Sequence, residues 1–185
     1  MRLKNLLTEI ILLIFFVNAA TFSQFGTTAD RVGISHYLSV DNIHPGAIFY
    51  AAVKLDIDYT WHINAHVPTF DYLIGTKLEM RDHDYFENHG IQYPEAKQYS
   101  FAFAGDQILD VYSDVVFIYL SISADENVTT GEYTLTGNLT MQACDNEVCI
   151  APSTVRIDIP VTVVDLETPI RQINQDILPM IPLVN

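Results

Sequence analysis

Two stretches late in the chain fix its fold class. In Tyr133–Ala143 the odd positions are Tyr, Leu, Gly, Leu, Met and Ala, and the even ones are Thr134, Thr136, Asn138, Thr140 and Gln142. In Val155–Val163 the odd positions are Val, Ile, Ile, Val and Val, against Arg156, Asp158, Pro160 and Thr162. A period of two sustained this long makes strands with one buried face. Upstream, Phe49, Ala51, Val53, Leu55 and Ile57 share one parity within Ala47–Ile57, opposite Lys54, Asp56 and Asp58. Tyr59–Ala65, Leu73–Met80, Gln98–Phe103 and Ile108–Tyr112 read as further strands. Val115–Ser123 is a nearly continuous apolar run suited to a buried strand. Gly105-Asp106, Ser113-Asp114 and Thr130-Gly131 supply turns between them. Short strands with regular turns predict an all-β chain, most simply a β-sandwich. Pro160, on the outward parity, predicts that its strand lies at a sheet edge.

The 185 residues suit one domain and a short appendage. Nine Lys and Arg against 23 Asp and Glu give a net charge of -14. Such a charge repels phosphate backbones and anionic lipid, so nucleic acid is not an expected partner. It favours instead a partner with a basic face. Arg2 and Lys4 precede the apolar run Leu6–Val17, and Val17-Asn18-Ala19 suits a cleavage site, so residues 1–19 read as a signal peptide despite Glu9. The run is shorter than the roughly 20 residues that span a bilayer, so no stable membrane insertion is expected after cleavage. Removing 1–19 takes away Arg2, Lys4 and Glu9 and leaves the chain one charge more acidic. Residues 20–33 read as a flexible lead-in, 34–165 as the β domain and 166–185 as a C-terminal tail with a short helix around Ile170–Ile177. Export places the chain in the periplasm or outside the cell, where a disulfide persists.

The chain has two cysteines, in Met141-Gln-Ala-Cys144-Asp-Asn-Glu-Val-Cys149-Ile-Ala-Pro152. Continuing the strand parity puts Cys144 with Thr140 and Gln142, on the polar face and near solvent. Asp145–Val148 makes a connection of hairpin length, with the cysteines opposed across its mouth. Opposed Cβ atoms lie roughly 4.5–5.5 Å apart, against the roughly 3.5–4.5 Å a disulfide wants, so a bond is feasible with some strain. Closing so short a loop stabilises by only about 2 kcal/mol, whereas a hundred-residue loop gives about 4.7. An exposed short-loop bridge is the kind that thiols exchange with. Three readings stay open: a redox-active pair, an inert hairpin staple, or half of a shared metal site. Asp145 and Glu147 would raise a thiol's pKa, which suits a disulfide attacked by another protein's thiolate.

Residues spread in order along the chain carry a family resemblance. They are Trp61-His62-Ile63-Asn64 with Pro68, Leu73-Ile74-Gly75-Thr76, Tyr93-Pro94, Val111-Tyr112, Gly131, and Gln142-Ala143-Cys144-Asp145 with Cys149 and Pro152. Over about 34–165 the chain resembles the N-terminal periplasmic domain of the thiol:disulfide interchange protein DsbD, in a stand-alone form. The cysteine gap is one residue shorter than in some members. The resemblance implies an immunoglobulin-like sandwich whose Cys144 and Cys149 match the active pair of a thiol-disulfide oxidoreductase. It implies no cofactor. Its implied partners are thioredoxin-like redox proteins, including those of cytochrome c biogenesis, with a separate membrane electron donor. In the family an aromatic loop caps the disulfide, and the candidates here are Tyr99, Phe101 and Phe103.

Other groups read more plainly. His62 and His66, on a strand, and His83 and His89 are expected as surface or hydrogen-bonded histidines, not metal ligands. Trp61 is expected as a core anchor. Asp82, Asp84 and Glu87 lack calcium-loop spacing and read as a solvated acidic segment. No nucleophile elbow or phosphate-binding glycine loop occurs. Asn127 and Asn138 sit in glycosylation sequons.

Overall fold

The structure, a computed structural model, describes residues 26–178. The signal peptide expected over 1–19 and the end of the tail lie outside them. Eleven strands form among the described residues: β1 (Val32–Leu38), β2 (Ile48–Ile57), β3 (His62–Asn64), β4 (Lys77–Met80), β5 (Phe86–Gln92), β6 (Lys97–Phe101), β7 (Gln107–Tyr112), β8 (Val115–Ala124), β9 (Gly131–Met141), β10 (Ala143–Cys144) and β11 (Ser153–Val163). No helix among the described residues is long and apolar enough to cross a membrane.

The sheets run β1-β2-β8-β5, β10-β3-β7-β6 and β11-β9-β4, and every ladder between them is antiparallel. Only Gln142 separates β9 from β10, so the second and third sheets follow one another along a single run of chain. Their inward residues, among them Ile63, Tyr112, Leu139, Met141, Ile159 and Val161, share one core with Phe49, Val53, Leu55, Ile118 and Leu120 of the first sheet. The chain is therefore an all-β, immunoglobulin-like β-sandwich.

The long alternating stretches fold as their pattern dictates. Odd residues of β2 are buried throughout, and β11 pairs with β9 from Ser153 to Val163. Pro160 lies on β11, an edge strand, so its missing N–H is no loss. Val115–Ser123 differs from expectation. Ile118, Leu120 and Ile122 face the core, while Phe117 and Tyr119 are only partly buried on the outer face, packed with Tyr37. The predicted strands at 59–65 and 73–80 shrink to β3 and β4. Thr60, in the left-handed region at φ 73°, closes a turn with Tyr59 fully out in solvent.

Both termini of the described chain are tied in. The boundary drawn at 34 falls inside β1, and Thr28, expected in a flexible lead-in, is fully buried. Its hydroxyl donates to the Ala151 carbonyl at 2.8 Å and accepts the Ala143 N–H at 3.0 Å. The helix expected around Ile170–Ile177 is absent, replaced by a bridge at Gln172 and a turn. There Asp41 binds the Arg171 backbone and guanidinium, and Asn174 donates to the Leu38 carbonyl.

Candidate functional site

Gln142 is where the chain changes partner. Up to Met141 the strand pairs with β11 and β4, while Ala143 and Cys144 pair with Ile63 and His62 of β3. Gln142 fixes the crossover through its side chain. Its Oε1 accepts from Asn64 Nδ2 at 3.1 Å and from the Ile74 N–H at 3.0 Å. Asn64, itself buried, donates again to the Ile74 carbonyl. The Leu73–Thr76 loop is thus drawn against the root of the hairpin. Gly75 permits that approach, because a Cβ there would lie 2.7 Å from the His66 carbonyl oxygen.

Beyond Cys144 the chain turns. The Asp145 N–H donates to the Val148 carbonyl at 2.9 Å, and the Ile150 N–H to the Ala143 carbonyl at 2.9 Å. Cys144 and Cys149 between them form a non-hydrogen-bonded pair, the kind with the closest side chains. They are joined by a disulfide, with Cα atoms 4.0 Å apart. Asp145 Oδ1 accepts the N–H groups of Glu147 and Val148, each at 2.8 Å, and so holds the turn independently of sulfur.

The expectation that Cys144 lies near solvent is wrong: it is only 2% exposed. The even face is open along much of β9, but once the strand moves beside β3 other chain covers that face. Leu73, Phe101, Leu109 and Val111 make a second buried cluster, with Phe70, Phe103, Ala104 and Cys149 packed on it. Cys149 is half-buried and is the more exposed residue of the pair.

Cys149 packs with Phe101 of β6 and with the turn after it, and β6 also lies on His62, the cross-strand neighbour of Cys144. The expected strand Gln98–Phe103 stops at Phe101, and Ala102–Ala104 is a 3-10 turn closed by Gly105 at φ 65°, a conformation glycine adopts without steric cost. This turn is hydrogen-bonded to the cysteine hairpin. The Ala102 N–H donates to Asn146 Oδ1 and the Phe103 N–H to the Asn146 carbonyl, both at 3.3 Å. Phe101 and Phe103, with ring centroids 5.4 Å apart, belong to the cluster on which Cys149 packs. Tyr99 stands outside that cluster, 38% exposed, and meets the His62 ring at 4.6 Å.

His62 departs from its expected role. Its ring sits between Tyr99 and Phe101, and its buried Nδ1 has no hydrogen-bond partner. Burial holds its pKa below the usual histidine value; Asp114 opposes that and Lys97 adds to it. Lys97 and Asp114 are themselves an ion pair at 2.9 Å. The other histidines in question are hydrogen-bonded as expected: His66 to the Thr76 carbonyl, His83 to the Tyr85 N–H and His89 to Ser123. Trp61 is a partly buried flank of the core, with the Arg31 guanidinium 4.8 Å over its ring.

His62, Asn64, Gln142, Asn146 and Thr28 all escape the sequence reading as site residues. His62, Asn64 and Gln142 had a signal, since all three lie in the motifs of the resemblance; Asn146 and Thr28 had none. In the disulfide neither sulfur is a thiolate, the form that metals bind. Among the described residues no three His, Cys, Asp or Glu side chains are grouped to hold a metal ion.

Fold and site together define a class: an immunoglobulin-like β-sandwich with a hairpin disulfide under an aromatic turn. No family model and no curated protein matches the sequence. Solved structures similar to this chain include the DsbD N-terminal domain from Neisseria meningitidis in its reduced form, at 12% identity and TM-score 0.45, covering 80% of this chain and 94% of that one. The N-terminal periplasmic domain of ScsB from Proteus mirabilis is similar at 14% identity and TM-score 0.45, over 72% of this chain and 47% of that one. A type I cohesin from Pseudobacteroides cellulosolvens is similar at 9% identity and TM-score 0.38, over 72% of this chain and 94% of that one.

Proposed function

We propose that this chain is an exported thiol–disulfide exchange protein, working through Cys144 and Cys149 in the periplasm. The observation that carries the reading is the unequal exposure of a short-range disulfide. One cysteine is buried, the other half-buried, and an aromatic turn lies against the half-buried one. The staple reading is weakened by the hairpin's own bonds, since Asp145, Gln142 and Thr28 hold it without sulfur. Closing a loop this short adds only about 2 kcal/mol. Burial of Cys144 is what favours the staple, in which the sandwich would be a binding module.

Exposure favours one order of attack. A partner thiolate reaches Cys149 Sγ, the S–S bond breaks, and Cys144 departs as thiolate. The partner's second thiol then attacks the mixed disulfide and releases the reduced pair, so two electrons have moved. Oxidation by an acceptor disulfide reverses these steps. Phe101 and Phe103 act as the cap that must shift for the partner to enter, with Tyr99 at its margin. Exposed Tyr72 and Ile74 flank Leu73 of the cluster and offer apolar surface to a partner. Thioredoxin-like proteins with a basic face fit this site, with reducing power from a separate membrane donor and cytochrome c maturation proteins among the acceptors.

The test is the reduction potential of the pair, measured by equilibration with glutathione buffers, together with partner trapping by Cys144→Ser. A potential above about -300 mV and a mixed disulfide on Cys149 are expected. A potential well below that, with nothing trapped, sinks the proposal. The binding-module reading instead expects a double serine variant to lose about 2 kcal/mol of stability and keep its function.

A further inference from the structure

We propose that His62 exchanges the proton at Cys144 when the disulfide opens and closes, a role that rests on the exchange reading above. His62 and Cys144 are direct cross-strand partners in the β3–β10 ladder, so their side chains leave the sheet on the same face. Facing residues in such a ladder have Cβ atoms roughly 4.5–5.5 Å apart, within reach of an imidazole. The rings of Tyr99 and Phe101 wall His62 in on β6. Its Nδ1 is buried with no partner in the disulfide state, an arrangement that costs free energy and that a catalytic role would account for.

The charged groups around this ring leave it free to act as a base. Lys97 on β6 and Asp114 after β7 neutralise one another, and Ser113 is tied to both. Tyr99 presents a phenol, and β10 presents only Cys144. On the hairpin, the Asp145 carboxylate is turned into its own loop. Glu147 is exposed. The imidazole, desolvated by burial, is neutral at neutral pH.

When an acceptor disulfide is reduced, Cys149 thiolate bonds to one acceptor sulfur, the acceptor S–S bond breaks, and the released thiolate is protonated by solvent. His62 Nδ1 then takes the proton from the Cys144 thiol. Cys144 thiolate bonds to Cys149 Sγ and expels the second acceptor thiolate. The cysteine pair is oxidised by two electrons and the acceptor disulfide is reduced to a dithiol. After closure the imidazolium gives that proton up to solvent, and in the opening direction His62 takes a proton from solvent before passing it to the departing Cys144 thiolate.

The experiment follows oxidation of the reduced full chain by hydroxyethyl disulfide across pH, in wild type and His62→Gln. At neutral pH the variant is expected to close its disulfide slower on the order of tenfold, because an unassisted thiol with pKa ~8.5 is only a few per cent ionised there. The two rates should converge once the thiol ionises unaided. A loss equal at every pH, or no loss, overturns the role of His62. Failure of the wild type to exchange at any pH overturns the exchange reading itself. A second measurement needs no variant: the His62 imidazole, followed by NMR in the wild-type chain, should titrate differently in the oxidised and reduced states. An unchanged titration overturns the proposal even if His62→Gln fails to fold.

Discussion

Thr28 carries more of the site than its position near the chain's start suggests. One hydroxyl satisfies both the Ala143 N–H, on the strand leading into the cysteine hairpin, and the Ala151 carbonyl, in the segment leading out of it. Valine would match its shape and leave the Ala143 N–H buried and unpaired. Such a loss costs about 1–3 kcal/mol. Thr28→Val should therefore lower stability by about that much in urea unfolding, although no sulfur is touched. Gln142 works alike: one amide joins Asn64, Ile74 and, at 3.4 Å, the Ile150 carbonyl, so crossover, loop and hairpin move together.

At the scale of elements, β4 is a four-residue edge strand laid on β9 where Gly137 leaves room for it. A Cβ on Gly137 would stand 2.9 Å from the Glu79 carbonyl and 2.8 Å from Met80 Sδ. The thioether can turn aside, but the backbone cannot. Gly137→Ala should cost about 1–3 kcal/mol and raise amide exchange along Lys77–Met80 first. The elements most legible in the sequence were those with a long alternating face, β2, β9 and β11, and the apolar runs of β6, β7 and β8 were read as strands too. The edge strands β1 and β5 were not. In Phe86–Gln92 only Phe86 is fully buried, and a bulge between Asn88 and Gly90 breaks the register, so no period of two survives. The hairpin was legible from its spacing, because turn length fixes which residues oppose. The cover over Cys144 was not. Parity tells which face a residue takes, whereas what lies on that face is decided by β6 and its turn, more than forty residues earlier in the chain.

For the whole molecule, the titrating groups define two acid steps. His62 loses its proton more readily in the folded chain, so the unfolded chain binds more protons as pH falls through the ordinary value of 6.5, and stability declines from there. Asp30, Asp41, Asp114 and Asp165 are held below 3.8, chiefly by hydrogen bonds to their carboxylates, and their contribution is lost as pH falls below that value. Thermal unfolding from neutral pH downward should show both declines, and His62→Gln should remove only the upper one. Above these steps the outline of the molecule is set by bonds that do not involve sulfur. The turn closed by Asp145 and the segments latched by Thr28 are held by bonds that opening the disulfide does not break. A donor and an acceptor would therefore meet nearly the same surface. They would have to take turns there, each leaving before the other arrives, and an excess of either would slow the traffic of both.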